Sequence, residues 1–160
     1  MKIIQLLEYS QYLRHKYLEF IGSLPWDEVV KDRGASFNSL RNIFLHCVTV
    51  LDVDINHHIQ GDTNYPRINN DDYDNLKKIG KYLEQVESKA NAYLSKVTPD
   101  ELSRKIERKL RDGTSITLTV EDLLFDFFQE ENHHRGELIA LLWQMDVRPP
   151  HLSWGRYLNK

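Results

Sequence analysis

The 160-residue chain has one cysteine, Cys47, so no disulfide can form within it and nothing marks it for an oxidising compartment. No uninterrupted apolar run reaches the length of a membrane span. Neither sign of charge dominates: 21 Lys and Arg stand against 24 Asp and Glu, interspersed, for a formal net charge of −3. The densest basic run, residues 104–111, contains a glutamate and no aromatic residue. It reads as a solvated face and not as a nucleic-acid groove. No nucleic-acid or membrane partner is therefore expected. Internal repeats and low-complexity tracts are missing too. Polar side chains interrupt the first twenty residues throughout, which reads as a helix and not a signal peptide. The expected location is the cytoplasm, and the length suits one domain over residues 1–160.

What is present is mostly helical periodicity. Ile3, Leu6, Leu7, Tyr9, Leu13, Tyr17 and Phe20 recur at helical spacing over residues 2–21, ended by Gly22 and Pro25. A short helical turn can begin at Pro25-Trp26, with Ser23 or Asp27 as its cap and Trp26 over the end of the first helix. A second helix, capped by Ser36 or Asn38, runs to about Gln60 on a stripe of Leu40, Ile43, Phe44, Cys47, Val50, Leu51 and Ile55. Residues 61–72 read as a loop. A third helix covers about residues 71–97, with Ile79, Leu83, Val86, Ala90 and Leu94 inward. Asp112-Gly113 signals a two-residue hairpin turn, followed by alternating Ile116, Leu118 and Val120. The fourth helix opens near Thr119 or Glu121 and is ended by Arg148-Pro149-Pro150. Four such helices can bury their stripes only against one another. The predicted fold is all-α: a four-helix bundle with a small β-hairpin before the fourth helix. The tail aromatics Trp154 and Tyr157 are expected to lie back on the bundle.

The fourth helix carries the informative irregularity. Leu123, Leu124, Phe127, Leu138, Leu141, Leu142 and Met145 form a core stripe, but its middle is polar: Glu130 or Glu131, and His134. A carboxylate and an imidazole on a buried stripe are costly unless paired. Glu130 and His134, one turn apart, can reach one ion from the same face. The alternative is a pair hydrogen-bonded without metal, and helical phase alone does not choose between Glu130 and Glu131. A divalent site needs a further ligand from another helix. Among seven histidines, His15, His57, His58, His133 and His151 read as surface or packed residues. His46, in the middle of the second helix, is the candidate.

Residues 39–46 (SLRNIFLH), the hairpin region 100–120 and above all Asn132-His133-His134-Arg135-Gly136-Glu137-Leu138 resemble the DinB-like superfamily. These are small metal-binding four-helix bundles that include bacillithiol transferases and mycothiol-dependent isomerases. The resemblance covers nearly the whole chain and places the family's metal ligands on His46, Glu130 and His134. Family members often carry a histidine where Glu130 stands and a glutamine where Glu137 stands. The implied set is thus two imidazoles and one carboxylate, which suits zinc, nickel or iron. The resemblance implies a divalent-metal-dependent enzyme transferring a low-molecular-weight thiol to an electrophile, or metal-assisted hydrolysis. The alternative function is a non-catalytic metal-binding stress-response bundle, closed by Glu131 or another fourth ligand. Partners would be a small-molecule thiol or electrophile and, as in many relatives, a second copy in a homodimer. No catalytic residue is singled out. Glu131, Glu137 and Asp54 are the carboxylates to consider as a base, Asp54 equally as an orienting partner of a ligand. Cys47, inside the apolar stripe, reads as a buried, inert thiol.

Overall fold

A helix from the second residue follows from the apolar spacing there. In the computed structural model, which describes residues 2–64, 68–110 and 112–159, α1 (Lys2–Ile21) buries Ile3, Leu7, Leu13, Tyr17 and Ile21. Residues 65–67 of the expected loop, Arg111 of the basic run and Lys160 of the tail lie outside the described residues. Gly22 follows where a side chain would be tight: a Cβ there would lie 3.0 Å from Leu76 Cδ1 and 3.2 Å from the Leu18 carbonyl, so its neighbours would have to give by a few tenths of an ångström. The short α2 (Trp26–Val30) has Pro25 at its cap and no side-chain cap bond, so neither Ser23 nor Asp27 caps it. Trp26 packs on the core.

The second long helix differs from expectation at both ends. Its cap is Ser39, whose side chain accepts from the Asn42 N–H at 3.2 Å, and not Ser36 or Asn38. Asn38 has φ 69°, outside the extended backbone an N-cap requires. α3 (Leu40–Leu51) then passes into a π-helical segment, Asp52–Ile59. The wider winding turns polar residues inward. Asp52 binds the Asn56 amide at 2.7 Å, Asp54 the His58 Nδ1 at 2.9 Å, and the His57 Nδ1 meets the Asp62 carbonyl at 2.6 Å. A single turn of 3-10 helix (Asn70–Asp72) precedes α4 (Leu76–Leu94), capped by Asn75. This helix is shorter at both ends than the predicted 71–97: it starts after the Asn75 cap and ends at Leu94, with Ser95 as its C-cap.

Thr98 caps α5 (Pro99–Ser103). The antiparallel hairpin of β1 (Lys105–Lys109) and β2 (Ser115–Thr119) pairs Ile106 with Leu118, and both pack on the core. Its connection is longer than two residues. Leu110 N–H donates to the Thr114 carbonyl at 2.7 Å, and Gly113 takes φ 87° inside that closure. A capping box joins Thr119 and Asp122 at the start of α6 (Val120–Gln144). That helix ends at Gln144 with Met145 as its C-cap, and Asp146 follows in the left-handed region at φ 56°, ahead of the two prolines.

The bundle consists of α1, α3 with its extension, α4 and α6, and α3 packs most extensively against α6. The tail helix α7 (Trp154–Leu158) returns to α1: Tyr9 meets Trp154 at 5.3 Å and Tyr157 at 5.2 Å. These two aromatics are half-buried, and Leu158 stays exposed. Among the described residues no helix is long and apolar enough to cross a membrane.

One contact ties α4 to the hairpin's entry. Glu101 accepts from Tyr93 Oη at 2.6 Å and from Arg104 Nη2 at 2.7 Å, and these bonds, the Arg104 one first, draw its pKa from 4.5 to about 2. A carboxylate depressed by folding stabilises the native state above its unfolded pKa and loses that stabilisation as pH falls. Glu101→Gln is therefore expected to flatten the acid limb of a stability profile between 4.5 and about 2, relative to wild type. Urea midpoints measured across that range check this; identical limbs would refute it.

Candidate metal centre

The α3–α6 seam brings His46 and Glu130 opposite each other, while the helical turn stacks His134 over Glu130. His46 Nε2 lies 3.5 Å from Glu130 Oε1, and His134 Nε2 lies 3.1 Å from the same oxygen. The two imidazoles meet edge to face at 4.4 Å between centroids. One ligand atom from each of His46, Glu130 and His134 lies within 4.8 Å of the others, a grouping that could hold a metal ion. Two ligands at zinc distances of ~2.0–2.2 Å, set tetrahedrally, stand ~3.4 Å apart. The observed 3.1 and 3.5 Å fall on either side of that separation.

The hydrogen bonds place one proton. His134 Nδ1 lies 3.2 Å from Glu137 Oε2, and an ionised carboxylate can only accept, so this nitrogen carries the proton. With Nδ1 protonated, Nε2 either carries a second proton, which it donates to Glu130 Oε1, or turns a lone pair toward that oxygen. Two acceptors at 3.1 Å require a cation or a second proton between them. Burial, and next the adjacent His134, push the His46 imidazole below its ordinary pKa. Burial opposes ionisation of Glu130, but the hydrogen bonds to His134 and His46 outweigh it and hold the carboxyl below its ordinary value. A neutral His46 and an ionised Glu130 are the forms that bind metal.

The structure separates the two glutamates that helical phase left open. Glu131, 2 % exposed, points the other way and accepts from Arg14 Nη1 at 2.8 Å, with Arg135 Nη1 at 3.7 Å. Glu130 alone joins the histidines, and its side chain is 48 % exposed, which leaves the group open to solvent on one side. Asp54 is bound to His58 and does not orient a triad histidine. Glu137 is engaged by Ser36 as well as His134, and burial of its carboxyl is outweighed by the Ser36 bonds, which hold its pKa low. His15, for which sequence spacing supplied no partner, meets Glu87 of α4 at 2.7 Å.

Two neighbours escaped the sequence reading. Phe37 stacks on His46 at 4.0 Å and meets the edge of His134 at 5.2 Å. Ser36 donates its backbone N–H and its hydroxyl to Glu137 at 2.7 and 2.6 Å. Contacts across 101 residues leave no local sequence signal. Cys47, 4 % exposed, sits behind the group, and burial first and Glu131 next push its thiol well up. A disulfide reagent such as dithiobis(nitrobenzoate) is expected to leave it unmodified in native protein and to label it completely in denaturant. Rapid native labelling would contradict its burial.

No curated protein matches the chain at a significant level. Among solved structures, a DinB-like protein from Bacillus cereus ATCC 10987 shares its fold with a TM-score of 0.68 at 17 % identity, over 94 % of this chain and 95 % of that one. The DinB family profile matches residues 1–160, the whole length over which the bundle, the hairpin and the His46, Glu130 and His134 group are built, and the chain is a member of the DinB family.

Proposed function

We propose that His46, Glu130 and His134 ligate a divalent ion, zinc, nickel or iron, and that the chain is a metal-dependent enzyme acting on a small thiol or its electrophilic partner. The observation that supports this most is the approach of His134 Nε2 and His46 Nε2 to one Glu130 oxygen at 3.1 and 3.5 Å, where lone pairs oppose one another unless a proton or a cation lies between them. A cation relieves that opposition, and two imidazoles with one carboxylate are a competent divalent set. When bound, a divalent ion would act as a Lewis acid, lowering the pKa of a coordinated thiol or water toward neutrality.

The protein's own contribution is to hold the donors and keep one side accessible. His46 and His134 each present Nε2, Glu130 supplies a negative charge, and Glu130's exposure leaves room for a small ligand. Phe37 forms one wall. The carboxylates considered as a base are all committed elsewhere: Glu131 to Arg14, Glu137 to Ser36 and His134, and Asp54 to His58. Activation of a nucleophile therefore rests on the ion more than on a side-chain base. With Glu131 engaged by Arg14, the closed, non-catalytic reading would need a different side chain as its fourth ligand.

Metal analysis of protein purified without a nickel column tests this. About one ion per chain is expected in wild type, with visible absorption on cobalt substitution that changes when a small thiol is added. A metal-free protein that also fails to take up zinc, cobalt or nickel would refute the reading. An ion whose cobalt spectrum no thiol perturbs would refute the thiol chemistry alone.

A further inference from the structure

Residues 31–39, between α2 and α3, form a strap over the candidate centre, and one side chain of α6 fastens it. Glu137 Oε1 accepts the Ser36 N–H at 2.7 Å; Oε2 accepts the Ser36 hydroxyl at 2.6 Å and faces His134 Nδ1 at 3.2 Å. Three donors thus converge on one carboxylate. The strap is closed on itself by the Arg33 N–H on the Asn38 carbonyl at 2.7 Å and the Asn38 N–H on the Ala35 carbonyl at 3.0 Å. It delivers Phe37 onto the face of His46.

Donor counting makes the carboxylate specific. A glutamine at 137 would have a single acceptor oxygen and an NH2 group at the other position. It can serve His134 Nδ1–H or the Ser36 N–H, but not both. The two oxygens of Glu137 are what allow the ring and the strap to be held together.

We propose that Glu137 is the positioning residue of this site: it fixes His134 as the Nδ1–H tautomer and latches the Ser36–Phe37 strap, so that filling the site and closing the strap are coupled. The proposal rests on the reading of His46, Glu130 and His134 as ligands. Its physical basis is the supporting role of a carboxylate on the far nitrogen of a ligating histidine, which aligns the ring and raises its basicity. Electron withdrawal at Nε2 makes Nδ1–H a stronger donor, tightening the Glu137 carboxylate that also holds Ser36. Coupling of this kind is reciprocal, so loosening the strap must weaken ion binding by the same factor that ion binding tightens the strap.

The full-length chain is compared as wild type, Glu137→Gln, Glu137→Ala and Ser36→Ala, with thermal melts verifying folding. Imidazole nitrogen NMR reads the His134 tautomer in metal-free protein, amide hydrogen exchange reads Ser36 and Phe37, and zinc titration reads affinity. Wild type is expected to show a proton on His134 Nδ1 and a protected Ser36 amide, with slower strap exchange once zinc is added. Glu137→Ala is expected to lose the tautomer preference and the protection, and to bind zinc about 10–100-fold more weakly. Ser36→Ala should keep the tautomer, exchange faster along the strap and lose only a few-fold in affinity. Glu137→Gln should retain the tautomer or the Ser36 protection, not both. A folded Glu137→Ala with unchanged tautomer and zinc affinity would overturn the positioning role, and zinc binding that leaves wild-type strap exchange unchanged would overturn the coupling. If wild type binds no zinc, the ligand reading fails separately. The metal-free tautomer and Ser36 protection then decide: their loss in Glu137→Ala supports the positioning role, and their retention overturns it.

Discussion

His134→Ala is expected to abolish stoichiometric metal binding. The loss should exceed the ~10–100-fold penalty that follows removal of a supporting partner, because a donor itself is gone. Heat stability gives an independent readout. An ion present at 100 times its dissociation constant stabilises the native state by about 2.7 kcal/mol, which for a chain of this size raises the melting temperature by roughly 5–10 °C. Zinc should produce such a rise in wild type and none in His134→Ala. Glu130→Ala should behave in the same way, whereas Glu131→Gln should keep the zinc response, since Glu131 faces Arg14 instead of the histidines. The same variant set also separates the metal-free alternative. A His134 imidazolium bridging Glu130 and Glu137 would make wild type insensitive to zinc and would make His134→Ala destabilising without any ion present.

The second large effect lies behind the site. Arg14, 5 % exposed, donates Nε to Glu87 Oε1 at 2.9 Å and Nη1 to Glu131 Oε2 at 2.8 Å. Burial works against its charge, but Glu131 and then Glu87 outweigh burial and raise its pKa. Removing one partner of such a buried set leaves an uncompensated charge and costs about 3–5 kcal/mol. Arg14→Met is thus expected to lower stability by that amount in urea unfolding. Adding Glu131→Gln should recover part of the loss, because it removes one of the two stranded carboxylates. If Arg14→Met unfolds like wild type, Glu87 and Glu131 are held by Gln11, His15 and Arg135 alone. The network also bears on the metal centre. Glu131 sits one residue beyond Glu130 on α6, so its bond to Arg14 of α1 bears on the rotation of α6 that points its ligands at α3.

Much of this was legible in the chain because helical burial is written at a fixed period. The stripes of α1, α4 and α6 needed only spacing, and the hairpin only its Gly113 and its alternation of Ile116 and Leu118. The polar break in the α6 stripe was equally visible. Its phase was not, because residues 130 and 131 differ by one helical step and both border the buried face. Burial then divided them, Glu131 inward to Arg14 and Glu130 to the seam with His46. The cap of α3 was misplaced for a related reason. Ser36 and Asn38 are good cap types, but Ser36 is bound to Glu137 and Asn38 is in the left-handed region. The π-helical winding over Asp52–Ile59 has no periodic signature in so short a segment.

By itself, then, the order of residues determined the helices, the hairpin and the presence of chemically costly side chains on a buried stripe, since each follows from local propensity and period. Which of those side chains meet was decided only by tertiary structure. His46 lies 84 residues from Glu130, and Ser36 lies 101 from Glu137. Pairings at such separations depend on the rotation and register of packed helices, which no local pattern encodes.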